Sequence, residues 1–227
     1  MRRRSVILAA AAAGLSRSVR AATPPTVLEL FTSEGCSSCP PADALLGRLA
    51  RQPGIIALAW HVDYWNGLGW HDPYSSPLAT QRQRSYAEHL HDDVYTPALV
   101  VNGTRMVVGS DAASVGTAIR AAGDATVPVI LRRTEDGMLS ETGPAGRSIT
   151  ALLVTYDPVA TTSIGGGENG GRRLAEYRIV RDATPLGTWD GAPRSFDLPA
   201  TAPGRGAVLV LQTEDLRVCG AADLQPA

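Results

Sequence analysis

The chain has 227 residues, 44% apolar and 19% charged, enough for one large or two small folded domains and unlike a wholly disordered chain. Its formal net charge of −1 offers no strongly basic surface to nucleic acid. All 21 basic residues are Arg, so lysine Schiff-base chemistry and a phosphate-loop lysine are excluded.

Arg2, Arg3 and Arg4 precede an apolar stretch from Val6 to Leu15, and Val19-Arg20-Ala21 supplies small or apolar residues at −3 and −1 of a cleavage site. This predicts a secretory signal peptide over residues 1–21; Arg3-Arg4-Ser5-Val6-Ile7 also loosely fits a twin-arginine signal. The apolar run is too short to span a bilayer, so no membrane span is expected in the mature chain. Cleavage would take five Arg from a chain of net charge −1 and leave −6. The expected location is periplasmic or secreted, where disulfides persist.

Residues 26–31 read as a strand, residues 42–51 as a helix with Leu45, Leu46 and Leu49 in one stripe, and residues 55–61 as a buried strand. A polar helix is expected over 78–91. A hairpin follows, 98–101 and 105–108 about Asn102-Gly103, then a helix over 112–122 capped by Ser110 or Asp111. From about residue 126 the pattern changes to short alternating stretches at 127–132, 148–156, 174–181, 194–198 and 207–212, separated by Gly- and Pro-rich turns. The run Gly165-Gly166-Gly167-Glu168-Asn169-Gly170-Gly171 reads as a flexible hairpin connection. The division expected is a signal peptide at 1–21, an α/β domain at 22–125 and a small all-β, sandwich-like domain at 126–227.

Cys36-Ser37-Ser38-Cys39 lies between the first strand and the first helix. A thiolate there gains from helix N–H groups, which makes Cys36 the nucleophile and Cys39 the resolving thiol of a redox pair. Pro40 and Pro41 follow at once, so the helix is expected to start at one of them, with Cys36 in the loop before it. Cys219 is the odd thiol, read as buried and inert. A right-handed β-α-β crossover makes the first two strands parallel and brings His61, Asp63, Tyr64 and Trp65 to the same sheet edge as the cysteines.

The order strand, C-x-x-C, helix, strand, helix, Thr96-Pro97, hairpin, helix resembles the thioredoxin fold. More narrowly, residues 29–43 (ELFTSEGCSSCPPAD), His61-Val62-Asp63-Tyr64-Trp65 and Tyr95-Thr96-Pro97 are similar to the signatures of a secreted bacterial family catalogued as domain of unknown function 1223. The resemblance implies an α/β thioredoxin-like domain followed by a β-rich one, and a cis Thr96–Pro97 bond beside the cysteines. Two positions depart from ordinary thioredoxins: Gly35 stands where Trp often precedes the first Cys, and Leu30 where a buried Asp is common.

The candidate catalytic residues are Cys36, Cys39 and Glu29, the last as a proton relay to Cys39 if it lies near the thiols. Thr96, Pro97, His61 and Trp65 are candidates for substrate binding. Glu34 is read as facing solvent, and His89, His91, Asp92 and Asp93 as a solvated helix end. The function expected is extracytoplasmic thiol–disulfide exchange with a protein thiol or disulfide partner, or with a small thiol, and with no cofactor or resident metal. Two alternatives stand beside it: Cu(I) binding by Cys36, Cys39 and His61, and a non-catalytic binding module with a structural Cys36–Cys39 bridge.

Overall fold

The structure is a computed structural model and describes residues 24–123 and 125–226; the expected signal peptide lies outside them. Among the described residues the chain forms three helices and eleven strands. Strand β1 (Thr26–Thr32) leads into α1 (Pro40–Leu49), β2 (Ile55–His61), α2 (Pro77–Leu90), the hairpin β3 (Ala98–Val101) and β4 (Arg105–Val108), and α3 (Ala112–Ala121). Strands β5 (Val129–Arg133), β6 (Met138–Thr142), β7 (Ile149–Ser163), β8 (Arg173–Trp189), β9 (Arg194–Leu198), β10 (Gly206–Gln212) and β11 (Val218–Leu224) follow.

Local chemistry accounts for the helix starts. Pro40 and Pro41 open α1, where a missing N–H costs nothing. Ser76 caps α2 through the Ala79 N–H, and Asp111 caps α3 through the Ala113 and Ser114 N–H groups. Asn102 and Gly103 take positive φ in the β3–β4 turn, as a tight hairpin requires.

The molecule is mixed α/β, dominated by one eight-stranded sheet in the order β11-β10-β7-β8-β2-β1-β3-β4. β1 and β2 are parallel, and β3 runs antiparallel to β1. The C-terminal strands were expected to form a separate small sandwich. Their packing does have two layers: the sheet β5-β6-β9 covers one face of β7 and β10 through Met138, Phe196, Leu153 and Leu209. Yet β7, β8, β10 and β11 also extend the N-terminal sheet, because β8 pairs parallel to β2 at Ala59 and Ile179. Helix α2 packs on one face of that sheet, with Tyr86 against Phe31 and Trp60; α1 and α3 pack on the other, against Leu28, Leu30 and Leu99.

Helix α1 meets β8 at Gly47, where a Cβ would stand 2.5 Å from the Tyr177 ring. Gly47→Val is therefore expected to lower the free energy of unfolding by about 1–3 kcal/mol through overpacking. Urea denaturation checks this as a lowered midpoint with an unchanged slope.

Candidate functional site

The site forms where β1 and β2 end. The register of the parallel pair sets Thr32 beside His61, and the chain leaves β1 through a tight turn in which the Cys36 N–H bonds the Ser33 carbonyl. Cys36 and Cys39 are joined as a disulfide with Cα atoms 5.4 Å apart, and both are buried. The Ser38 hydroxyl lies 3.2 Å from Cys36 Sγ, and the Thr96 carbonyl oxygen lies 3.9 Å from it. The Thr96–Pro97 bond is cis. Trp65 donates through Nε1 to Thr96 Oγ1 at 2.9 Å, so Thr96, Pro97 and Trp65 do gather at the disulfide.

Glu29 does not join them. Side chains alternate along a strand, so Glu29 shares the α2 face with Val27 and Phe31, whereas Cys39 opens α1 on the opposite face. Its carboxylate receives Arg82 Nε and Nη2 and the Tyr86 hydroxyl. Arg82 also lies 5.0 Å from the centroids of the Trp60 and Tyr86 rings. Glu29 is thus the buried counter-ion of Arg82, and the expected relay from Glu29 to Cys39 is corrected.

The acids that do cluster at this edge are others. Glu34, expected to face solvent, is buried and accepts the Trp70 indole N–H at 2.7 Å. Asp72 accepts from the Glu34 backbone N–H at 2.9 Å and bonds His61 Nδ1 at 2.8 Å. Asp43, one turn along α1 from Cys39, and Glu176 of β8 are also buried. Glu34 Oε1, Asp43 Oδ1, His61 Nε2 and both carboxylate oxygens of Glu176 make no hydrogen bond among the described residues. His61 is the member of this cluster that sequence reasoning placed at the cysteine edge; of the acids it missed, Asp43 alone carries a local signal, since it stands four residues after Cys39 and so on the same helix face. Glu176 sits in a polar strand some 140 residues away, and no local pattern marks it.

Burial raises Asp43 to about 6 and Glu176 to about 8, in both cases against the pull of His61; Glu34 is raised by burial as well. Burial alone would lower His61, but the charge and hydrogen bond of Asp72, with Asp43 and Glu176 beyond, lift it to about 9. Burial alone would raise Asp72, but the charge and hydrogen bond of His61 together with the Glu34 and Tyr74 backbone N–H groups hold it below its ordinary value. His61 is therefore an imidazolium at neutral pH, set among carboxyls that partly keep their protons.

Other sequence-marked residues lie elsewhere. His89, His91, Asp92 and Asp93 are exposed at the end of α2. Cys219 is half-buried on β11, with Sγ 3.3 Å from the Leu211 carbonyl oxygen, and burial raises its thiol. Among the described residues no group of three or more His, Cys, Asp or Glu side chains is arranged to hold a metal ion. Nor is any helix there long and apolar enough to cross a membrane.

Residues 27–212 match the family described as "Protein of unknown function (DUF1223)". The chain belongs to the DUF1223 family. The DUF1223 chain is also similar to a protein of Agrobacterium tumefaciens whose X-ray structure was determined as a structural genomics target. The two are 29% identical with a TM-score of 0.77, over 88% of this chain and 93% of that one. HBP35 of Porphyromonas gingivalis is similar in fold, with 15% identity and a TM-score of 0.60 over 90% of this chain and 76% of that one. No curated protein matches the chain.

Glu176 carries a test of the buried cluster. Its carboxyl ionises near 4.5 ordinarily and near 8 in the fold, so the native state holds the proton longer than the unfolded chain, and Glu176 costs stability as pH rises between those values. Glu176→Gln is expected to raise the free energy of unfolding at pH 9 by on the order of 2–4 kcal/mol and to leave it nearly unchanged at about pH 4.5. Denaturation at both pH values checks this. His61 shifts the background in the same sense: its contribution is complete below 6.5 and lost as pH rises through about 9.

Proposed function

We propose that this DUF1223 protein is an extracytoplasmic thiol–disulfide oxidoreductase whose α/β half is a thioredoxin-like unit. The observation that carries the reading is the Cys36–Cys39 disulfide at the join of β1 and α1, with the Thr96 carbonyl beside Cys36 Sγ. The basic and apolar residues 1–21 support export to a compartment where such a pair is used.

In the proposed exchange a partner thiolate attacks Cys36 Sγ. A bond forms between the partner sulfur and Cys36, the Cys36–Cys39 bond breaks, and Cys39 leaves with the electron pair. Cys39 is fully buried, so its thiolate is poorly solvated and takes a proton. Asp43, one helical turn from Cys39 and with a carboxyl that burial raises to about 6, is the proposed donor. A second partner thiolate then attacks the partner sulfur of the mixed disulfide, forms the partner disulfide and expels Cys36. Two electrons pass from two thiols to the protein; the reverse sequence oxidises the protein's dithiol at the expense of a partner disulfide. Thr96, Pro97 and Trp65 would bind the partner chain beside Cys36.

One observation favours a second reading. Cys36 is only 1% exposed, as a structural bridge in a non-catalytic binding module would be. The two readings part on trapping. With oxidised glutathione near neutral pH, Cys39→Ser is expected to form an adduct on Cys36 at least about tenfold faster than Cys36→Ser forms one on Cys39, since the proposed exchange assigns attack to Cys36 and not to the fully buried Cys39. Mass spectrometry reads the adduct. A folded Cys39→Ser protein that forms none supports the structural bridge instead.

A further inference from the structure

The glycine-rich connection between β7 and β8 is not a free loop. Gly166 lies so close to Gly69 that a Cβ on it would stand 2.4 Å from the Gly69 carbonyl oxygen, and a Cβ on Gly165 would meet the Trp70 ring at 3.0 Å. The glycines let the hairpin tip lie against the 68–70 segment and reach the cysteine loop. There Asn169, fully buried, donates through Nδ2 to the carbonyls of Glu34 at 2.8 Å and Cys36 at 2.9 Å. Its own Oδ1 accepts from Arg172 Nη1 at 2.6 Å, which fixes the orientation of the amide. The next residue back, Glu168, accepts the Ser37 backbone N–H on Oε2 at 3.0 Å.

Backbone donors are scarce at this helix start. Pro40 and Pro41 have none, and the Ala42 and Asp43 N–H groups are spent on the Cys39 carbonyl at 2.8 and 3.1 Å. The Cys39 N–H bonds the Cys36 carbonyl at 3.2 Å. The Ser37 N–H is therefore one of few groups beside Cys36 able to turn towards a thiolate, and it is held by a carboxylate. Hydrogen bonding from Ser37 keeps Glu168 below its usual range, so this carboxylate is ionised at neutral pH. A thiolate on Cys36 would compete for that N–H and stand beside a like charge, and both effects disfavour it.

We propose that Glu168 and Asn169, at the tip of the β7–β8 hairpin, set the redox balance of the Cys36–Cys39 pair. Asn169 holds the cysteine loop in register with the tip, and Glu168 disfavours the Cys36 thiolate and so biases the pair towards the disulfide. These are positioning residues contributed by the C-terminal half of the chain. The inference rests on the redox reading of the site, and its test separates the two.

The experiment equilibrates the purified wild type, Glu168→Ala, Glu168→Gln and Asn169→Ala with dithiothreitol buffers of graded oxidation, and reads the Cys36–Cys39 dithiol fraction by mass. Circular dichroism confirms the fold of each; Glu168 is exposed and its variants are expected to fold. Glu168→Ala should favour the dithiol by about tenfold in the exchange constant, equivalent to about 30 mV. Glu168→Gln, which keeps an acceptor and loses the charge, should shift less in the same direction. Alkylation of reduced Cys36 by iodoacetamide below neutral pH, read on the Cys36 peptide, should be faster in Glu168→Ala. Equal constants and equal alkylation rates for folded Glu168→Ala and wild type would overturn the proposal. Dithiothreitol reads the constant even for a resistant bridge, so a wild-type pair too stable to exchange with glutathione ends the redox reading, while an absent Glu168 effect ends this one.

Discussion

The pairing of β8 with β2 is the constraint on which the rest of the structure depends. At Ala59 and Ile179 the long C-terminal hairpin joins the parallel N-terminal pair, so β2 is an interior strand. The join is fastened by Arg178. Its Nε donates to the Ala57 carbonyl at 2.9 Å, its Nη2 to Asp223 at 2.9 Å, and its Nη1 to the Tyr156 hydroxyl. A buried guanidinium is tolerated because each edge finds a partner. Once β8 is fixed there, its neighbours have fixed places: Tyr177 against Gly47 of α1, Glu176 among the acids around His61, and the hairpin tip on the cysteine loop.

This arrangement makes the disulfide a property of both halves of the chain. The N-terminal half supplies the two sulfurs, the Thr96 carbonyl and His61. The C-terminal half supplies Glu176 among the acids around His61, and Asn169 and Glu168 on the cysteine loop. Buried polar groups are concentrated at this edge: His61 bonds Asp72 and lies among Asp43, Glu34 and Glu176, all buried. Such a cluster costs stability, and the unpartnered oxygens of Glu176 show that the fold does not recover all of it through hydrogen bonds. Costly polar groups at the end of a sheet, next to a disulfide, are what a chemical role would retain.

Much of the N-terminal half was legible in the sequence because its signals are local. Apolar runs marked β1 and β2, the Leu45-Leu46-Leu49 stripe marked α1, and Asn102-Gly103 marked the β3–β4 turn. The strands β6 and β11 were missed. Met138–Thr142 is short and polar, and Val218–Leu224 carries Gly220 and small residues, so neither shows the alternation of a half-buried strand. The union of the two halves in one sheet was not legible either, since it rests on residues 120 positions apart. The same distance hid Glu176 and the role of the glycine run, which reads locally as a flexible connection and sits in the fold as a close-packed one. Glu29 stood out as a charge in an apolar strand, but strand parity sends it to Arg82; the partner, 53 residues on, could not be assigned from the strand alone.

Under the proposed function the Cys36–Cys39 bond exchanges rather than merely braces the loop. Its reduction potential in the purified protein tests this most directly. A value between about −120 and −270 mV, the range of exchanging thiol–disulfide proteins, is the result predicted. A value below about −300 mV, typical of disulfides resistant to the glutathione pool, would contradict the account and leave the pair as a structural bridge.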